Sequence, residues 1–351
     1  MDDRYTRQEL FPPIGRKGQE KLQSSRVLVM GAGALGSSTS EMLVRAGVGE
    51  ITIIDRDVVE PSNLPRQNLF TEDEADGATP KALAAKERLQ RINRQTTIHA
   101  YVLDADAPAL EKLVRDVDLM VDGSDNFEIR FILNDLSQKY GTPWIFGASA
   151  GSVGMACAFL PGETPCFQCL LRGMPEGAMT CSSAGIIAPA VQMTTSYQAA
   201  EAIKLLTGNA ASLQKKLLLF DIWNGHHQQL GFHRMKNRKC PSCGDSRTYP
   251  YLTETESTRV STLCGQDTVH IRPAQPFSYD FTLLERHLRP HGKVKKNEHV
   301  LTCLLSSYRL AVFADGRILI HGTNNSETAK AIYTQYIAAY DNTVKKEQEA
   351  W

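Results

Sequence analysis

The chain has 351 residues, 42% of them apolar, enough for one large domain or two to three ordinary ones. Its 39 Lys and Arg balance 39 Asp and Glu, so net charge gives no drive toward nucleic acid or an anionic membrane surface. No apolar run approaches the ~18–20 residues that span a bilayer, and the start MDDRYTRQEL lacks the charged-then-apolar order of a secretory signal. These features predict a soluble, cytoplasmic protein. A reducing compartment then favours metal ligands or reactive thiols over disulfides for the eight cysteines.

Arg26–Gly31 reads as a short buried strand and Ala34–Ala46 as a helix closed by Gly47. Glu50–Asp55 is a second strand, and Pro80–Asn93 an amphipathic helix with proline near its start. Thr97–Leu103, Asp118–Asp122 and Pro143–Gly147 read as further strands, with helices at Ala107–Arg115 and Phe127–Tyr140. This alternation predicts an α/β fold with a Rossmann-like, doubly wound, mostly parallel sheet. Ser152–Leu160 adds a strand. Residues 161–187 read as a long crossover loop rich in Pro, Gly and Cys, a length that usually signals function. Ala188–Leu206 is a helix and Lys216–Trp223 a strand. Residues 1–252 thus form one domain, and the polar run 253–266 reads as a linker. Residues 267–351 predict a small α+β domain in the order β-α-β-β-β-α, with a hairpin at Asp315-Gly316.

The chemistry starts at Gly31-Ala-Gly33-Ala34-Leu-Gly36, which follows a strand and opens a helix. Such glycines make a tight turn and let backbone N–H groups approach a phosphate at the helix N-terminus. Asp55, ending the next strand, is placed to accept from ribose hydroxyls. This motif alone does not separate NAD, FAD and ATP, and an NAD-dependent oxidoreductase fits it. Three charges further along favour ATP. Arg66, Lys81 and Asp125 each follow or flank a strand end, and strand C-termini of a doubly wound sheet line one crevice. Cations neutralise phosphate, and a carboxylate can hold Mg²⁺.

The set GAGALG, the Asp55 strand end, SNLPRQ, PKA and DGSDNFEIR resembles the E1-like (ThiF/MoeB/HesA) adenylyltransferases. The likeness runs from Arg4 to about Leu252. It implies ATP-dependent adenylation of the C-terminal Gly-Gly carboxylate of a small ubiquitin-fold sulfur carrier protein, with release of pyrophosphate. By match of motif it places Gly33 and Ala34 against the nucleotide, Asp55 on the ribose, and Ser62, Asn63, Arg66 and Gln67 along the site. Asn63, Arg66 and Lys81 fall on phosphates, and Asp125 on Mg²⁺ beside Asn126. Arg7 matches an arginine inserted into the neighbouring subunit's site, which implies a homodimer. Ala34 stands where many members have Gly, and Pro65 and Ile129 are unusual variants. The carrier is ThiS or MoaD. The LCGQDTVHIRP segment and the closing β-rich unit resemble extended ThiF proteins of Gram-positive bacteria and favour ThiS. A catalytically idle carrier-binding scaffold is the reading from a different class.

Cys166-Phe-Gln-Cys169 and Cys240-Pro-Ser-Cys243 are two CxxC pairs, enough for a closed tetrahedral Zn²⁺ site. Seventy residues separate them, so the metal would clip the crossover loop to the end of the sheet domain. A redox CxxC or unconnected thiols are the alternatives; the resemblance supports zinc. Cys181 matches the family's crossing-loop cysteine. Such a thiol attacks the carrier adenylate or joins persulfide chemistry, with a sulfur donor such as a cysteine desulfurase. Cys157, Cys264 and Cys303 read as core or surface thiols, and His226-His227 as structural.

Overall fold

The computed structural model describes residues 3–171, 185–253, 259–262, 268–272, 279–314, 316–338 and 340. The chain divides into two compact units, Met1–Glu254 and Thr255–Trp351.

After a 3-10 turn (Asp3–Tyr5) and a single helical turn (Thr6–Glu9), the first unit runs through helix α1 (Gly15–Ser24), β1 (Arg26–Met30), α2 (Ala34–Ala46), β2 (Glu50–Asp55), α3 (Lys81–Ile92) and β3 (Thr97–Val102). It continues with α4 (Ala107–Val114), β4 (Leu119–Asp122), α5 (Phe127–Tyr140), β5 (Trp144–Ala150) and β6 (Val153–Phe159). After α6 (Phe167–Leu171) and α7 (Ala188–Leu206) come β7 (Leu217–Asp221) and β8 (His226–Leu230). The eight strands lie in the order β3-β2-β1-β4-β5-β6-β7-β8. The five on the β3 side pair in parallel, and β5 through β8 pair antiparallel.

Burial on both faces explains the strand composition. Val27, Val29, Ile51 and Ile53 join one core, while Leu28, Met30 and Ile54 join the other. Successive strand residues point to opposite faces, so a doubly covered strand must be apolar throughout. The order reverses beside β1, between β2 and β4, which opens the crevice at the strand C-termini.

Helix α1 has no counterpart in the sequence reading, because Gly15 and Gly18 weaken its helical signal. Residues 161–187, expected as loop, carry α6, whose Phe167 packs among Trp144, Phe146 and Phe159. The expected linker 253–266 carries strand β9 (Arg259–Thr262), which pairs with β10 (Thr268–Arg272). An edge strand is held through its backbone and needs no apolar alternation, so its polar sequence reads as linker.

The second unit adds α8 (Phe281–Leu288), β11 (Lys293–Lys296), β12 (Val300–Leu304), β13 (Arg309–Phe313), β14 (Ile318–His321) and α9 (Ser326–Tyr333). Its antiparallel sheet has the order β11-β12-β13-β14-β10-β9. β9 and β11, the two edges, are the strands missing from the expected β-α-β-β-β-α order. Helix α9 ends at Tyr333 and passes into a π-helical turn at Thr334–Ala338. Leu284, Leu301, Leu310, Val312, Ile318 and Ile320 form a core of the unit's own. Among the described residues, no helix is long and apolar enough to cross a membrane.

Candidate active site

Gly31 leaves β1 with φ +93° and donates from its N–H to the Ile54 carbonyl at 2.7 Å. A Cβ on Gly36 would stand 1.8 Å from the Gly31 carbonyl oxygen, and one on Gly123 would stand 2.6 Å from the Gly36 Cα. Side chains are therefore excluded where α2 crosses the end of β4. Gly33 differs. Its φ is −72°, and a Cβ there would meet nothing closer than the Gly123 carbonyl oxygen at 3.9 Å. No side chain caps α2 at Gly33. The turn thus tolerates a methyl at ordinary contact distance beside a helix N-terminus that no side chain caps, and such an N-terminus accepts a phosphate.

Asp55 sits against this turn. Its carboxylate accepts from the Ala32 N–H at 2.6 Å and the Asp57 N–H at 2.7 Å. Burial pushes the Asp55 carboxyl up, against the opposing pull of Lys81. Lys81, at the start of α3, is 5% exposed and donates to Asp57 at 3.1 Å. Its burial alone would lower the amine, but Asp57, Asp55 and Asp125 outweigh that and raise it, so it carries its charge at neutral pH. Arg56 bonds Asp104 at 2.9 Å and also feels Asp57 and Asp125. Side chains following β2 and β4 therefore meet electrostatically at the strand ends.

Gln67 is buried near the turn, its Nε2 4.0 Å from a Cβ built on Gly33, and its Oε1 has no hydrogen-bond partner. An orphaned buried acceptor beside the uncapped turn fits a donor on a bound molecule. Half-buried Arg66 donates to the Ser62 carbonyl at 2.7 Å. Asn63 is buried and turns its Oδ1 to the Glu60 N–H at 3.1 Å, so that oxygen shapes the loop. Asp125 is exposed on the loop after β4, and Asn126 caps α5 by accepting from the Glu128 N–H at 2.8 Å.

Cys166, Cys169, Cys240 and Cys243 are all buried, and their sulfurs lie within 4.8 Å of one another. The Cys166–Cys240 and Cys169–Cys243 sulfurs are 3.7 and 3.6 Å apart. A tetrahedron with Zn–S bonds of ~2.3 Å has edges of about 3.8 Å, so the cluster fits zinc closely. Ser242 donates to Gln168 at 2.6 Å and ties the two CxxC turns together. Gly244 packs where a Cβ would strike the Arg238 and Cys240 carbonyls at 2.3 and 2.5 Å.

Residues 5–243 match the ThiF family. The chain is 44% identical over 338 residues to the sulfur carrier protein ThiS adenylyltransferase of Bacillus subtilis (strain 168), spanning 96% of this chain and 100% of that one. This chain belongs to the ThiF family. It is also 37% identical over 246 residues to the molybdopterin-synthase adenylyltransferase of Escherichia coli (strain K12), spanning 69% and 96% of the two chains. Among solved structures it resembles E. coli MccB with ATP, at TM-score 0.57 and 25% identity over 70% of this chain and 75% of that one.

In this ThiF-family chain, Gly31, Gly33, Ala34, Gly36, Asp55, Gln67 and Lys81 gather around one crevice, with Asp125 within electrostatic reach of Lys81. Arg7 does not join them. Its segment packs at the far end of α2, where Gln8 donates to the Ala46 carbonyl at 2.8 Å and the Tyr5 ring covers Gly47. Thirteen helical residues, roughly 20 Å, separate that end from the phosphate turn. Cys181 and Cys264 lie outside the described residues. Sequence reasoning passed over Arg56 and Asp57, although RD directly after a strand-ending Asp was a signal. It also gave no role to Asp122 and Arg130, which sit within the quoted DGSDNFEIR.

Two substitutions separate the glycines. Gly36→Ala should cost more than about 3 kcal/mol of folding stability through overpacking, read by denaturant unfolding. Gly33→Ala should leave stability within ~0.5 kcal/mol yet weaken ATP binding, since its methyl would stand beside the uncapped helix N-terminus. Equal stability losses would contradict the distinction. For the cysteines, metal analysis should find one zinc per chain, lost in Cys240→Ser and released faster as acid protonates the thiolates. Zinc kept in the double variant Cys240→Ser, Cys243→Ser would place the metal elsewhere.

Proposed function

We propose that this protein adenylates the C-terminal Gly-Gly carboxylate of a ubiquitin-fold sulfur carrier, with ThiS as the carrier and thiazole synthesis for thiamine as the destination. The observation that carries the reading is the uncapped phosphate turn at Gly33, with Lys81 and Asp125 gathered beside it. A carboxylate oxygen of the carrier attacks the α-phosphorus of ATP. The new O–P bond forms as the bond to the β-phosphate bridging oxygen breaks, and the electron pair leaves on pyrophosphate. The carboxylate is already ionised at neutral pH, so no general base is needed. The enzyme's work is to bring two anions together and hold them in line.

Lys81 and Arg66 serve the phosphates, Asp55 the ribose, and Gln67 and the Gly33–Ala34 turn the nucleotide body. Asp125 holds Mg²⁺, which when bound neutralises phosphate charge and usually needs few protein ligands. ThiS is favoured over MoaD because the likeness to the Bacillus relative runs through 96% of the chain, second unit included, against 69% for the molybdopterin relative. Arg7, exposed at the far end of α2, is assigned to the site of a second copy, making the working unit a homodimer. Cys181 is assigned to covalent sulfur chemistry after activation, with a cysteine desulfurase as donor.

Exchange of pyrophosphate into ATP should require Mg²⁺ and a Gly-Gly-ended carrier, with ThiS preferred over MoaD. Asp125→Ala and Arg66→Ala should each lower it by about 10²-fold or more. Full exchange in both variants would remove the site assignment, and tight NAD binding without ATP binding would favour an oxidoreductase. For Arg7, mixing inactive Arg7→Ala with inactive Asp125→Ala subunits should restore part of the activity, because a hybrid dimer holds one intact site. No recovery after demonstrated subunit exchange would return Arg7 to its own subunit or to no role.

A further inference from the structure

A chain of buried polar groups runs beneath the Gly123–Asn126 loop, and the reaction above does not use it. Asp122, at the end of β4, has no exposed surface. Its Oδ1 accepts from the Ser124 N–H at 2.9 Å and the Ser124 hydroxyl at 2.6 Å, and its Oδ2 accepts from Arg130 Nε at 2.8 Å. Arg130 Nη2 donates to the Ser124 carbonyl at 2.7 Å and to the Gly147 carbonyl on β5 at 3.2 Å. The guanidinium also lies 5.3 Å from the Phe127 ring centre and 5.0 Å from that of Phe146. On another side, Gln198 of α7 donates to the Asp122 backbone carbonyl at 2.7 Å and accepts from the Thr39 hydroxyl of α2 at 3.1 Å. A Cβ on Gly147 would stand 2.4 Å from the Gln198 amide, so a central strand gives up a side chain to admit it.

Stability alone is a poor account of this arrangement. A buried ion pair roughly breaks even against apolar residues of similar volume, and often loses to them. Here the pair sits where the Asp125 loop leaves the sheet. Its bonds grip Ser124, the residue next to Asp125, through the backbone N–H, the hydroxyl and the carbonyl. We propose that Arg130 and Gln198 are positioning residues: through Asp122 they fix the loop that presents Asp125 to the Mg²⁺ of bound ATP, and through Thr39 they tie that loop to the phosphate-turn helix. This rests on the adenylyltransferase reading.

The test measures ATP binding calorimetrically across a Mg²⁺ series, and carrier-dependent pyrophosphate exchange on the same preparations. The variants are Arg130→Lys, Gln198→Met and Ile132→Ala; the last removes buried packing from α5 outside the hydrogen-bonded chain. In Arg130→Lys and Gln198→Met, the Mg²⁺ concentration that half-supports ATP binding should rise about tenfold or more. The kcat of exchange should fall with the carrier KM unchanged. Ile132→Ala should lose stability and keep the wild-type Mg²⁺ dependence. If either polar variant does not fold, Thr39→Val, which removes one hydroxyl, takes its place with a smaller shift in the same direction. An unchanged Mg²⁺ dependence in folded variants overturns the proposal, and so does an equal shift in Ile132→Ala. Wild-type protein that binds ATP with no response to Mg²⁺ overturns it as well. Wild-type protein that binds Mg²⁺-dependent ATP but shows no exchange fails the parent reading, and the binding series still decides the positioning.

Discussion

Three backbones meet where β1, the start of α2 and the end of β4 converge, and the rest of the site takes its coordinates from that contact. Gly31, Gly36 and Gly123 lie so close that no side chain fits at any of them. The spacing is thus set by the radii of backbone atoms, which cannot be retuned by a rotamer. One consequence is the phosphate turn at a fixed height above the sheet. The other is the loop after β4, which carries Asp125, at a fixed offset from that turn. Asp55 then links the turn to β2 through the Ala32 N–H, and Lys81 reaches the same place through Asp57.

Most of this frame was legible in the sequence because both faces of the central strands are buried. RVLVM, EITIID and LMVD are nearly unbroken apolar runs, and glycine turns or charged residues stand at their C-terminal ends. The crevice rule for doubly wound sheets then brings Asp55, Lys81 and Asp125 together without any coordinates. The four cysteines were legible for a different reason, since a closed thiolate site needs two CxxC pairs wherever the chain carries them. What escaped was whatever rests on backbone pairing or on one long-range polar contact. Strand β11, KVKK, reads as a charged loop, yet lysines suit an exposed edge. Asp122 and Arg130 pair across a loop and one helical turn, a separation that matches no short-range pattern. Gln198 sits in a helix whose buried face is partly polar, so its partners are unreadable without the fold.

The cysteine cluster answers a mechanical problem. The crossover segment leaves β6 and returns at α7, and its described residues include one short helix, α6. Phe167 packs that helix into an aromatic cluster with Trp144, Phe146 and Phe159. Cys166 and Cys169 flank Phe167, so a metal on the four sulfurs would fasten the same turn from its other side to the Cys240–Cys243 loop. Closing so long a loop costs entropy that grows only slowly with length, and one metal link restores much of it.

The charges at the strand ends bear on what a bound triphosphate would meet there. Lys81, Arg56 and Arg66 are cations, but Asp55, Asp57, Asp104 and Asp125 surround the first two. Lys81 is already matched by Asp57, and Arg56 by Asp104. A nucleotide triphosphate brings several negative charges into a crevice with no surplus of positive ones. Burial strengthens every such interaction, so the mismatch cannot be left to solvent. In the proposed reaction Mg²⁺ on Asp125 supplies part of the difference. Arg7, held exposed roughly 20 Å away at the other end of α2, is the further cation that the proposal assigns to a second copy's site. On the proposed assignment of Arg7 to a second copy's site, ATP binding and dimer formation would strengthen each other, because each would supply charge that the other's site lacks.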